Sequence, residues 1–400
     1  MQKDVEPTAD PDLALSLVRD DLPFRLLRRV GLIPAKGLGI VRRAAFFTLL
    51  AWLPLAAWAL WAGRALPGSA GAVGEPLLEH FGVHVRCLIA IPVLILAQGL
   101  AHRTTTRLLP WFVRSGAVPA TKVPQLRAVV DGVARLRNAS LPWIVMAGLV
   151  VAWTALGPVA QNSDELAWAT EGAAPATHFG FGGWWFLCVA RPIYFVLTLA
   201  WLWRLALLTL LFRRIAKLGL ELVPTHPDRL GGLAFVEGFV TIFGPVAFVL
   251  SAVLSSQWAH EVLYHDAPLK SLQVPAAAFL VLALALFLAP LLAFVPPLAA
   301  ARKRAMLEYG ALVGLHGKLV RERWILRQPV ENDEILHAPE IGPVADAIAL
   351  FEAVKAMRPV PIGKPALLAI ALPVIVPFLL VLSIKVPLAQ LLGKLLKGLV

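Results

Sequence analysis

The chain has 400 residues, 58% of them apolar and only 16% charged, whereas soluble domains carry about 25% charged residues. This deficit, with a mean hydropathy of +0.74, excludes an ordinary soluble domain. The net charge of +12 does not argue for nucleic acid, because the basic residues sit in short connections beside apolar blocks, where the positive-inside rule puts them.

Taken in order, residues 1–11 are polar and acidic without periodicity and read as disordered. The first 43 residues carry 8 Lys/Arg and 6 Asp/Glu, too many charges over too great a length for a cleavable signal. The first span is therefore expected to serve as its own insertion signal. From Asp12 to Ile33 leucines alternate with charges, and Phe24, Leu27 and Val30 share one face. That pattern predicts an amphipathic helix, either on the membrane surface or packed on the bundle.

Apolar blocks of spanning length, ~20 residues, fall at 44–63, 83–100, 141–160, 184–212, 234–255, 275–298 and 366–384. The connections 101–140, 213–233 and 299–365 hold 7, 4 and 10 Lys/Arg, while 64–82 and 256–274 hold one each and 161–183 none. This alternation predicts a cytoplasmic N-terminus and, with seven spans, a periplasmic C-terminus. The second block is short, and Pro373 and Pro377 leave the last one open as a kinked or re-entrant segment.

The expected fold is an all-α polytopic bundle of about seven transmembrane helices, with a cytoplasmic segment at 1–43 and six spans in 44–298. A cytoplasmic helical hairpin at 299–365 follows, formed by a helix from Arg302 to Ile325 and another from Pro343 to Pro359. The seventh span and a leucine-rich amphipathic tail, Leu388 to Val400, complete the chain. No internal repeat is evident, so the inverted-repeat signature of many transporters is missing.

Three stretches carry a resemblance: the turn His226-Pro227-Asp228-Arg229-Leu230-Gly231-Gly232-Leu233, the run Leu307 to Leu312, and Met357-Arg358-Pro359-Val360-Pro361. Together they resemble a family of bacterial polytopic inner-membrane proteins, over most of the chain from the first span onward. The resemblance implies a multi-pass inner-membrane location and no particular activity. Ala234 stands where that family often has Gly, and Gln98 where it often has Glu.

Ionisable groups inside a span are costly and mark functional candidates. Arg191 and Arg204 lie in the fourth span, with Tyr194, Thr198 and Trp201 on the Arg191 face. Glu237, Thr241, Gly244, Phe248, Ser251 and Ser255 fall on one face of the fifth span. That face reads either as close helix packing or as a water-lined pathway. Arg204 is expected to pair with Glu237, with Gln98 as a further polar contact. Asp228 is expected to cap the fifth span, and His226, Arg229, Gly231 and Gly232 complete the turn.

His80, His84, His260 and His265 are of metal-ligand type but lack a tight motif, so no metal and no cofactor is assigned. Cys87 and Cys188 lie at similar depths and could meet if the second and fourth spans are neighbours. No P-loop, GxSxG elbow or paired catalytic carboxylates are present, which weakens an enzymatic reading. The expected function is a channel or transporter for a small ion or solute, with a pathway along the fourth and fifth spans. The alternative is a sensor or assembly protein acting through the hairpin. The expected partners are the lipid bilayer, a small ion or solute, and further copies of the chain.

Overall fold

A computed structural model describes residues 13, 15–34, 37–66, 76–160, 166, 168–171, 178–264, 268–329 and 342–384. Its helices are α1 (Leu22–Arg29), α2 (Ile40–Trp61), α3 (Phe81–Arg114), α4 (Val123–Asn138), α5 (Leu141–Ala160), α6 (Phe181–Ala216), α7 (Ala234–Tyr264), α8 (Leu269–Ile325), α9 (Gly342–Ala356) and α10 (Lys364–Leu382). Seven spans are long and apolar enough to cross a membrane: α2, α3, the α4–α5 unit, α6, α7, α8 and α10. One short antiparallel ladder, Thr170–Glu171 with His178–Phe179, lies between α5 and α6. The fold is the all-α polytopic bundle expected.

In lipid every backbone carbonyl needs a partner within the protein, and the prolines show how this is met. Pro54 denies Leu50 its helical N–H, and Trp185 Nε1 of α6 donates to that Leu50 oxygen at 3.1 Å. Pro373 likewise leaves the Ala369 carbonyl without its amide, and this oxygen rests against Gly244 of α7. A Cβ there would meet it at 2.8 Å, so only glycine lets α7 and α10 approach so closely. The last span is therefore one continuous helix despite Pro373 and Pro377.

Pro92 and Pro192 have a further effect. Each removes the N–H due to the carbonyl four residues earlier, and the turn before each proline widens to an i→i+5 pattern. Ile91 N–H donates to Arg86 O, and Arg191 N–H to Phe186 O. The two π turns sit in matching sequence: Phe-Gly at 81–82 and 181–182, Ala-x-Pro at 90–92 and 190–192. The sequence thus holds a local repeat across α3 and α6 that the search for a global one misses.

At the end of the bundle bearing the Lys/Arg-rich connections, here the basic end, phenylalanines tie the centre together. Phe112 of α3, Phe212 of α6, Phe235 and Phe239 of α7 and Phe294 of α8 interleave, with ring centroids of contacting pairs 4.9–6.3 Å apart. Such pairs contribute ~0.5–1.5 kcal/mol each beyond area burial. They fix α6 as the hub of the basic end.

The hairpin is built on α8, a 57-residue helix of ~85 Å at 1.5 Å per residue, far longer than a bilayer core. Its partner α9 packs against the extension, with Arg302 Nη2 donating to Lys355 O at 3.1 Å. The connection 330–341 and the tail Leu388 to Val400 lie outside the described residues.

Two boundaries differ from expectation in ways that matter below. The first span starts at Ile40 rather than at 44, because Ile40 and Val41 extend its apolar block, and Arg43 therefore sits inside the helix. The amphipathic helix expected from Asp12 to Ile33 is only the short α1. Ahead of it Leu15, Leu17 and Val18 are buried in the bundle. Arg137 of α4 holds this irregular segment by donating to Ser16 O, and His102 Nδ1 lies 2.9 Å from Ser16 Oγ.

Candidate functional site

The buried segment ahead of α1 delivers Asp21 to Arg204. Asp21 caps α1, its Oδ1 accepting from Phe24 N at 2.9 Å, while Oδ2 accepts from Arg204 Nη2 at 3.1 Å. Both side chains are 4% exposed, and the guanidinium also stacks on the Trp201 ring, 5.1 Å from its centroid. Trp201 is fixed in turn by donating Nε1 to Leu94 O at 3.0 Å. The expected pairing of Arg204 with Glu237 is therefore incorrect: the N-terminal segment reaches Arg204 first.

Beside this pair stands a second buried arginine. Arg43 of α2 donates Nη2 to Gln98 Oε1 of α3 at 2.8 Å. Arg43, Gln98, Asp21 and Arg204 line one end of a cavity of about 330 Å³. Its remaining wall is apolar, with Phe47, Ile193, Val196 and Leu197 among the lining groups, and it runs along α6 from Arg204 to Pro192. Two guanidiniums thus face one carboxylate. Arg43 Nε and Nη1 and Arg204 Nη1 are buried without a hydrogen-bond partner among the described residues, although buried donors are normally satisfied. Arg43 is the last residue of the cytoplasmic segment expected at 1–43, and the apolar Ile40-Val41 pair before it is the signal that places it within the helix.

Toward the opposite end, Arg191 lies over the rings of Trp153 and Phe195, at 5.7 and 5.6 Å. A second hollow of about 480 Å³, between α5 and α6, is lined by Val150, Thr154, Trp184 and Cys188 and shares Pro192 with the first. Tyr194 is buried, and the Thr198 hydroxyl is spent locally, donating to Tyr194 O at 2.9 Å. The expected polar stripe on α6 thus divides between a helix-internal bond and an aromatic-lined arginine.

The fifth-span face packs against α10. Ser251 donates its hydroxyl to Val374 O at 2.6 Å, Ser255 is buried, and Thr241 bonds its own helix at Gly238 O, 2.7 Å. Thr241, Gly244 and Phe248 border an apolar groove against Ala369, Pro373 and Val376. Close packing is the reading these contacts favour.

Glu237 begins α7 in a tight 3₁₀ stretch, Ala234–Phe243. Its carboxylate lies 3.6 Å from Arg358 Nη2 and accepts from Gly363 N–H. Arg358 N donates to Arg229 O at 2.8 Å, and a Cβ on Gly231, whose φ is +63°, would come within 3.3 Å of Met357 Cε. The turn at 226–233 and the segment Met357 to Pro361 therefore form one knot joining α7 to α10.

Inside that knot Asp228 does not occupy the helix cap, which falls at Leu233. It gathers loop amides, accepting from Leu230 N (2.8 Å), Gly232 N (3.2 Å) and Ala234 N (3.1 Å), with His226 Nδ1 at 2.9 Å. Burial alone pushes its carboxyl up, but these donors together hold it below the usual carboxylate range.

The histidines are spoken for. His80 stacks on His260, centroids 5.5 Å apart. His84 accepts from Trp52 Nε1 at 3.1 Å through Nδ1, and its Nε2 lies 3.0 Å from Leu77 O. His265 lies outside the described residues. Among the described residues no group of three or more His, Cys, Asp or Glu could hold a metal. Cys87 and Cys188 are both free, the first buried and the second exposed.

Seven helices long and apolar enough to cross a membrane define an integral, multi-pass membrane protein. Compared with known proteins, the chain matches no family model, no curated protein and no solved structure.

Proposed function

We propose that this membrane protein lies in a bacterial inner membrane with its basic end in the cytoplasm, and carries a small anionic solute along the seam between α5 and α6. The observation that carries this reading is the buried pair Arg43 and Arg204, two guanidiniums against the single carboxylate of Asp21 in one cavity. Intramembrane charge is expensive and is retained where it serves a pathway. Arg191, thirteen residues from Arg204 along α6 and so ~20 Å away, supplies a second cationic station by the outer hollow. The route is thus moved from the α7 face, which packs against α10, to the α5–α6 seam.

The test is anion efflux from liposomes containing purified protein and loaded with chloride or acetate. Wild type should release the anion and retain potassium, and Arg43→Gln should slow release by about tenfold or more. Potassium release equal to that of the anion, or no release above empty liposomes, would sink the reading. A sensor or assembly role is favoured by a different observation, the exposure of Leu307 (70%) and Ile325 (71%) on the α8 extension. Stable co-purification of a partner that requires residues 302–358, without anion release, would select that role.

A further inference from the structure

We propose that the cavity at Arg43 and Arg204 is a site for an anionic amphiphile with one acyl-length chain, its charged head on the two guanidiniums and its chain along α6. This goes beyond the carrier reading: the amphiphile is a ligand held in the cavity, distinct from the small anion that is carried.

The first argument is charge. Arg43 and Arg204 are each 4% exposed, and three of their donor nitrogens have no partner among the described residues. Gln98 uses its Oε1 on Arg43 and brings no charge. Asp21 neutralises one guanidinium and leaves the other unbalanced. Leaving a buried cation uncompensated costs several kcal/mol, so the site is completed by an oxyanion. Carboxylate and phosphate heads both meet that need.

The second argument is shape. From Arg204 to Pro192 the cavity follows twelve residues of α6, ~18 Å at 1.5 Å per residue, and beyond the charged end its wall is apolar. At about 330 Å³ it falls at the lower end of the ~300–1,000 Å³ typical of small-molecule sites. A small hydrated anion would occupy the charged end and leave the apolar length empty, whereas an acyl chain fills it.

The third argument concerns access. The cavity is bordered by Pro23, Leu26 and Leu27 of α1 and by Trp143 at the start of α5. Leu26 and Ile144 are largely exposed, as expected of groups facing lipid. The α1 side of the cavity thus adjoins groups that would face lipid. Asp21, seated on Arg204, is a built-in anion at the place a ligand head would take.

The experiment uses the full chain in phosphatidylcholine nanodiscs, exposed in turn to palmitate, lysophosphatidate, hexadecanol and acetate. Bound ligand is counted by native mass spectrometry after release from the disc. Wild type should retain one palmitate or one lysophosphatidate and neither hexadecanol nor acetate; whichever anionic amphiphile is kept assigns the head group. Arg43→Gln strands no charge, because its partner is a neutral amide, and should weaken retention at least tenfold. Asp21→Asn keeps the α1 cap, frees Arg204, and should strengthen retention. Retention of hexadecanol equal to that of palmitate, or Arg43→Gln and Asp21→Asn both without effect, overturns the assignment. Anion efflux from liposomes is measured on the same preparations. Efflux without amphiphile retention rejects this ligand class and leaves the carrier reading standing, while retention without efflux does the reverse.

Discussion

Asp21 and Arg204 are separated by 183 residues in sequence and 3.1 Å in space, so the pair fastens the N-terminal segment to α6. Removing one member strands the other in a site where both are 4% exposed, and breaking such a pair costs ~3–5 kcal/mol. Asp21→Asn isolates the charge, since asparagine still caps α1. Arg204→Gln also forfeits the stacking on Trp201, worth up to ~2 kcal/mol when desolvated. In the double variant neither charge is stranded, so its loss should fall short of the sum of the singles by about 2–3 kcal/mol. Thermal unfolding in detergent, followed by tryptophan fluorescence, reads this as single-variant drops on the order of 5–10 °C and a double variant close to the worse single. Arg204→Gln combined with Glu237→Gln should be additive, because Glu237 serves Arg358 instead. Additive losses for Asp21 and Arg204, or coupling between Arg204 and Glu237, would refute the assignment of partners.

Three further outcomes are expected. Alkaline phosphatase fused after Ser163 should be active and the same fusion after Lys217 inactive; two active fusions would overturn the proposed orientation. Gly244→Val should destabilise the protein by about 1–3 kcal/mol by forcing α7 away from the Ala369 carbonyl, and unchanged thermal stability would show that the contact tolerates a side chain. The carboxyl of Asp228 is held below its ordinary value of 3.8, so its stabilisation is present above that value and is lost as pH falls through the depressed one. Corrected amide-exchange protection at Leu230, Gly232 and Ala234 should therefore hold from pH 7 to 5, decline toward pH 3, and be low at every pH in Asp228→Ala. Full protection in that variant would remove Asp228 from the role.

The spans were legible because hydropathy is a local property, and apolar blocks of the right length leave few alternatives. What escaped was contact between distant segments. Nothing near Asp21 announces that an acidic residue before a Pro-Phe pair will cap a helix and then reach an arginine in the fourth span. Arg43 was hidden by its neighbour Arg42, since two arginines at a block's edge read as interfacial anchors while only one of them faces inward. Glu237 was misassigned because depth along a helix fixes the height of a residue but not its azimuth. The turn at 226–233 and the segment at 357–361 were each singled out from sequence, yet only the fold brings them into one knot.

The paired π turns have a consequence for how the two halves of α6 are phased. A π turn amounts to one residue more than a helix needs, and each residue turns the chain by ~100°. The turn at 186–190 therefore sets the azimuth at which everything below Pro192 faces the bundle, Arg204 included. Were that turn to close to ordinary α geometry with no residue lost, Arg204 would swing by ~100° away from Asp21 without any change in the packing of its outer half. The same indexing operates in α3, where the turn at 85–90 sets the direction of Gln98. Both sides of the cationic cavity are thus aimed by a twist stored about two helical turns above Gln98 and about four above Arg204, and deleting Val189, which removes the extra residue together with the bulge, should leave Arg204 on its carboxylate.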